Sequence, residues 1–372
     1  MVREKYRPRV EELLTHAGVA LNGGRPWDIR VHNEKLYPRV FAQGSLGLGE
    51  AYMDGWWDCE RLDECFSRLM RAHLDGRFRP WKDGLRHAHA RLTNRQNRRR
   101  AFEVGWRHYD VGNDLYARML DRRMIYSCGY WQNTDSLDEA QEAKLGLIGR
   151  KLGLQPGMRV LDIGCGWGGT ARYLAEHCGV EVVGVTISGA QARFARESCR
   201  GLPIDIRLQD YRQLHETFDR VLSVGMFEHV GCKNYRTFME VVRRCLVPDG
   251  LFLLHTIGGN QTVIRTDSWI DRYIFPNSML PSAAQITTAA EGVFVLEDWH
   301  NFGADYDRTL MAWFRNFDRS WPELQEKYGE RFYRMWKYYL LSCAGTFRAR
   351  RNQVWQIVFS PKGVPGGIQV RS

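Results

Sequence analysis

The chain has 372 residues, 44% hydrophobic and 26% charged, which is enough for a sizeable core and two domains and excludes a disordered or low-complexity polypeptide. Its 53 Lys+Arg against 43 Asp+Glu leave a net charge of +10, so an anionic partner is expected, either nucleic acid or a membrane surface. No apolar run approaches the roughly 18 residues of a membrane span, and the start MVREKYRPRVEELL has no signal-peptide core. A cytoplasmic protein with at most peripheral, transient contact at the inner face of the membrane is expected. Nine cysteines without a CxxC pair fit neither a disulfide framework nor a zinc site, so free thiols and no metal are expected.

In chain order, Val10, Leu13, Leu14 and Ala17 recur at helical spacing, and Trp27, Ile29 and Val31 alternate with polar residues at the strand period. Residues 46–49 (LGLG) and 53–57 (MDGWW) predict turns, and Leu62, Phe66, Leu69 and Met70 predict another amphipathic helix. A small mixed amino-terminal domain over residues 1–85 follows. Residues 86–107 then become basic and polar, with Arg86, Arg91, Arg95, Arg98, Arg99, Arg100 and Arg107. They read either as a solvated linker or as a surface for anionic phospholipid headgroups. Nucleic acid is disfavoured, because a stacking platform needs interleaved aromatics and no nucleic-acid motif is present.

Residues 108–131 (HYDVGNDLYARMLDRRMIYSCGYW) mix aromatics with polar groups. Tyr126, Ser127 and Cys128 there either place a hydroxyl, a thiol and ring faces over a ligand or form an aromatic turn beneath a sheet. Residues 160–169 (VLDIGCGWGG) read as a strand, a tight glycine turn and a helix start, the first unit of a doubly wound α/β sheet that holds an adenosine-containing ligand. Gly164, Gly166 and Gly169 also satisfy the dinucleotide fingerprint. Asp162, however, precedes the first glycine, where it repels a pyrophosphate and favours ammonium and sulfonium charges. The second strand ends in Thr186, where a nicotinamide site usually has an acid for the ribose. The loop is therefore read as an S-adenosylmethionine site.

Gln191 follows on the next helix, and Asp210 and Tyr211 follow the strand 204–208, at positions suited to adenine and ribose. Strands over 220–224 and 250–254 run into Glu228 and His255, which brings two titratable groups to one rim of the sheet. Residues 267–280 (DSWIDRYIFPNSML) read as a lid or pocket wall, or as an ordinary helix and turn. After a strand at 293–297, Leu310, Trp313, Phe314 and Phe317 form a core stripe with Tyr306 near its start. An aromatic helix over 332–341 and a strand over 354–359, expected antiparallel at the sheet edge, close the chain.

In this order, HYDVGNDLYARMLDRRMIYSCGYW, VLDIGCGWGG, VGMFEHVG, LLHTIGG, WIDRYIFPNSMLPS, HNFGADYD and FRARRNQVWQIVFS resemble the bacterial cyclopropane fatty acyl phospholipid synthases. The resemblance implies a mostly parallel, seven-stranded methyltransferase sheet in a catalytic domain over 108–372, with the smaller amino-terminal domain of the phospholipid-acting members. It implies transfer of a methylene from S-adenosylmethionine across a cis double bond of an unsaturated phospholipid acyl chain, and a homodimer. It also implies a bicarbonate base held by Cys128, Glu228, His255, the backbone of Ile257 and Tyr306, with Tyr306 and Trp269 facing the cation. Tyr126, Ser127, Gly164, Gly166, Thr186, Gln191 and Tyr211 would meet S-adenosylmethionine. The competing readings are a superfamily methyltransferase that acts on an amine or leaves a methyl branch, and a non-catalytic lipid-surface protein.

Overall fold

The computed structural model describes residues 2–73 and 112–368; the basic segment 86–107, and the domain boundaries expected on either side of it, lie outside these residues. The chain divides into two compact units that are discontinuous in sequence. One comprises Met1–Thr93, Ile264–Pro276 and Tyr306–Asn352, and the other Asn94–Val263, Asn277–Asp305 and Gln353–Ser372. Where the sequence reading cuts the chain linearly, the structure thus groups two late segments with the amino-terminal residues.

The first unit is held by helix–helix packing. The helix Glu330–Arg348 lies so close to the helix Leu62–Arg71 that a Cβ on Gly345 would sit 2.4 Å from the carbonyl oxygen of Asp63. Arg348 pairs there with Asp63 at 2.7 Å and with Asp307 at 2.8 Å. Residues 46–49, predicted as a turn, belong to the helix Ser45–Met53. Their glycines serve close approach instead: a Cβ on Gly47 would meet Arg39 O at 2.5 Å, and one on Gly49 would meet the Trp269 ring at 2.4 Å. The strand predicted over 27–31 shortens to β1 (Arg30–Val31), antiparallel to β2 (Trp57–Asp58). It starts late because the Asp28 carboxylate accepts the N–H groups of Ala20 and Arg25, which ties 25–28 into a turn.

The second unit carries a seven-stranded sheet of β3 (Arg159–Ile163), β4 (Glu181–Thr186), β5 (Ile204–Leu208), β6 (Phe218–Val224), β7 (Leu246–Gly259), β8 (Val295–Asn301) and β9 (Asn352–Ser360), in the order β5-β4-β3-β6-β7-β9-β8. The strands from β5 to β7 are parallel, and β9 runs antiparallel to β8. The closing strand is therefore inside the sheet rather than at its edge; β8 takes the edge, because β9 inserts between it and β7.

Side-chain alternation sorts the strands onto two cores. Leu161, Ile163, Val183, Val221, Phe252 and Leu254 pack on one face. Val160, Val182, Leu222, Leu251, Leu253 and Val358 pack on the other, together with Leu145 and Ile148 of the helix Leu137–Lys151. By the same period of two, Asp162, His255 and Gln356 belong to that second face. The chain winds from β3 towards β4 on one side and from β6 towards β7 on the other, so the sheet reverses between β3 and β6. Ligands of doubly wound sheets bind outside the carboxyl ends of the strands at such a point.

Candidate functional site

The loop after β3 and the loop after β6 meet at this switch point. Gly164, at φ +88°, has a backbone that L side chains rarely adopt, and its absent Cβ would lie 2.7 Å from Met226. Gly166, at φ +55°, has open space where its Cβ would be, so a ligand can approach the main chain there. Gly164 N–H donates to Val185 O at 2.9 Å, which pins the turn to β4. At the end of β4, Thr186 Oγ1 donates to Gln191 Oε1 at 2.9 Å and accepts from Ser188 N–H at 3.2 Å. The expected donor contacts Thr186 and Gln191 thus form one buried unit.

Asp210 is buried and its carboxylate takes both the Nε and Nη2 of Arg212, at 2.9 and 2.6 Å. Tyr211 packs edge-on against Phe238, with ring centroids 5.3 Å apart, and burial raises its hydroxyl to about 12, so it stays a neutral donor. Tyr126 and Ser127 lie at the carboxyl end of β6: a Cβ on Gly225 would be 3.8 Å from that of Ser127 and 4.0 Å from Tyr126 O. The Tyr126 ring contacts Tyr116 at 5.2 Å, and Tyr116 contacts Trp167 of the glycine loop at 4.8 Å.

Glu228 sits in a single 3-10 turn, Phe227–His229, that follows β6, and is 5% exposed. Its Oε1 accepts the Ile257 N–H at 2.7 Å, whereas Oε2 is buried with no hydrogen-bond partner among the described residues. Burial pushes its carboxyl up to about 7, against the opposing pull of the Ile257 N–H. Ile257, expected to act through its backbone, thus already gives its N–H to Glu228. His255 pairs with Val224 across the β6–β7 ladder and is buried beside Phe302, with ring centroids 5.6 Å apart. Burial first, then the charges of Lys144 and Lys151, hold its pKa well below the ordinary value, so the ring is neutral. Gln356 Nε2 lies 3.4 Å from His255 Nδ1. An amide nitrogen only donates, so this contact selects the tautomer protonated on Nε2. Cys128 is fully buried and its thiol donates to Gly129 O at 3.2 Å.

Asp162 is 1% exposed, with Oδ2 unpartnered among the described residues, and burial pushes it up to about 7 although Lys144 pulls it down. Tyr306 belongs to the first unit, where its ring packs on Phe347 at 4.6 Å and Trp313 at 5.8 Å. Trp269 is buried in that unit against Tyr338, with ring centroids 4.6 Å apart, in a short helix, Ser268–Tyr273, capped by Asp267. Of the residues read as lid or wall, these therefore form a helix.

Sequence reading misses Gln141 and Lys144. Their signal was present: helical spacing places them on the stripe of Ala140, Leu147 and Ile148, where a charged residue has to be explained.

The family model for mycolic acid cyclopropane synthetase matches residues 96–357. A cyclopropane-fatty-acyl-phospholipid synthase of Escherichia coli is 58% identical over 360 residues, covering 96% of this chain and 94% of its own. The solved cyclopropane synthase MmaA2 of Mycobacterium tuberculosis is 33% identical, with a TM-score of 0.66 over 69% of this chain and 97% of its own. The mycolic acid cyclopropane synthase CmaA1, solved with SAH and CTAB, is 32% identical, with a TM-score of 0.65 over 69% of this chain and 97% of its own. The chain therefore belongs to the mycolic acid cyclopropane synthetase family and carries the S-adenosylmethionine-dependent methyltransferase fold.

Proposed function

We propose that this enzyme adds a methylene from S-adenosylmethionine across a cis double bond of an unsaturated phospholipid acyl chain. The observation that carries the reading is the junction of the two loops at the switch point. The glycine turn suited to the donor abuts the β6 loop that carries Glu228, a buried carboxyl group with one oxygen unpaired among the described residues. The alkene π pair attacks the donor methyl as the C–S bond breaks, leaving S-adenosylhomocysteine and a carbocation. One proton then leaves the transferred carbon, and its electron pair closes the ring.

An alkene is a weak nucleophile, so the site has to align it, exclude water and keep a base beside the cation. Buried Cys128, Glu228 and His255 suit a dry rim; a water there would trap the cation as an alcohol. In this reading Cys128, Glu228 and His255 would hold a bicarbonate, with the Ile257 N–H fixing Glu228 Oε1. The donor set suits a small oxyanion, since Glu228 Oε2 is free to accept from its hydroxyl and neutral His255 has one N–H to give. When bound, bicarbonate supplies the base. Tyr126, Ser127, Asp162, Gly164, Gly166, Thr186, Gln191, Asp210 and Tyr211 would hold the donor, with Asp162 towards its cationic groups.

The proposal includes a cytoplasmic homodimer that works transiently at an anionic membrane surface through the basic residues of 86–107. No described helix is long and apolar enough to cross a membrane. The test is incubation of the purified chain with S-adenosylmethionine and liposomes of unsaturated phospholipid. Acyl chains heavier by one CH2, absent with Glu228→Gln, support the reading; unchanged lipid with wild-type protein overturns it.

A further inference from the structure

The helix Leu137–Lys151 buries two lysines one heptad apart, and they are treated differently. Lys151 is 2% exposed and has Asp298 at 2.8 Å. Lys144 is 0% exposed, and among the described residues no carboxylate lies within ion-pair distance of it. Its Nζ instead donates to Ser127 Oγ at 2.8 Å. A buried ammonium is costly unless a counter-charge is close. Around it lie Asp121 and Asp162, the Cys128 thiol and neutral His255, and none of them is bonded to it. Three residues earlier, Gln141 Nε2 donates to the carbonyl oxygen of the same Ser127 at 2.8 Å. One helix thus grips Ser127 at both its main chain and its hydroxyl.

We infer that Lys144 is a positioning residue for the methyl donor: with Gln141 it clamps Ser127, and its ammonium is the positive charge against which the donor's carboxylate is held. The inference rests on the reading that Ser127 meets S-adenosylmethionine. An ammonium has only donors, so Ser127 Oγ must accept from it, and the hydroxyl proton is left to point at another acceptor. A carboxylate is the anionic group that the donor offers. Asp162, on the same face of the sheet, supplies the opposite charge for the amino group, so lysine and aspartate together match both ends of a zwitterion.

The experiment is calorimetry with two ligands: S-adenosylhomocysteine, which has the amino-acid end, and 5′-methylthioadenosine, which lacks it. Lys144→Met is expected to weaken S-adenosylhomocysteine by about ten- to a hundredfold, the range of one charge-assisted hydrogen bond. 5′-Methylthioadenosine should change less than about threefold. Lys144→Arg should restore most of the preference, which filling a cavity alone would not do. Lys144→Gln, which keeps an N–H donor for Ser127 but removes the charge, should show the same selective loss, and it decides the matter where Lys144→Met does not fold. Equal losses for both ligands, or none, in the folded variants overturn the role of Lys144 while leaving the donor site standing. Wild-type protein that binds neither ligand overturns the donor site as well.

Discussion

Glu228→Gln separates what this carboxylate does for chemistry from what it costs the fold. The amide oxygen of Gln can keep the 2.7 Å bond from Ile257 N–H, so the local structure is retained and Oε2 alone is replaced by an NH2. Burial raises the Glu228 carboxyl from 4.5 to about 7. Below the lower value both folded and unfolded chains hold the proton. Between the two values the unfolded chain ionises first, so wild-type stability falls as pH rises, by about 3 kcal/mol across the window. Gln does not titrate. Any fixed cost of burying its NH2 is the same at every pH and cancels between conditions.

Urea denaturation of both proteins at pH 4.5 and pH 8 is expected to show the variant gaining up to about 3 kcal/mol on wild type over this interval. Asp162 titrates alike in both chains and drops out. Turnover at pH 8 should fall about a hundredfold or more, with S-adenosylhomocysteine affinity within a few fold. A stability difference independent of pH refutes the buried-carboxylate argument, and wild-type turnover removes Glu228 from the mechanism.

His255→Ala should likewise lower turnover about a hundredfold or more in steady-state assays while donor affinity in calorimetry stays within a few fold. S-adenosylmethionine affinity should weaken as pH falls through about 7, because Asp162, raised to that value by burial, loses the charge proposed to face the cationic donor; titrations of Asp162→Asn should be flat over the same range. Gly169→Ala would place a Cβ 2.1 Å from Arg123 O, so a loss of about 1–3 kcal/mol is expected in chemical denaturation. Replacing Arg98, Arg99 and Arg100 together by Ala should reduce sedimentation with anionic liposomes, and added salt should reduce wild-type binding in the same way. An unchanged bound fraction would contradict a basic membrane surface.

The parallel half of the sheet was legible because its strands are short apolar runs that end in turn residues. The strand read at 204–208 is β5 to the residue, and β3 extends one residue beyond Asp162. Glu228 and His255 were legible for the same reason: His255 continues the apolar run 250–254 inside β7, and Glu228 comes four residues after β6 ends. The place of β9 was not, because a strand's neighbours are set by long-range pairing that its own residues do not encode. The glycines at 47 and 49 mislead because close helix packing and a turn both call for glycine. Lys144 was passed over because a lysine in an amphipathic helix is ordinarily on the solvated side; only its phase, level with Gln141 and Ile148, says otherwise. Tyr306 shows the limit of ordering motifs along a chain, since Asp305 and Tyr306 fall in different compact units.

The central claim is that carbon from the donor methyl closes a ring at the expense of one proton. Supplying S-adenosylmethionine with a fully deuterated methyl group, together with unsaturated phospholipid liposomes, tests it directly. After chromatography that separates ring from branched isomers, mass spectrometry is expected to find cyclopropane acyl chains retaining two of the three deuterons. A product that retains all three as a methyl branch, or a deuterated methyl on a headgroup amine, would contradict the account.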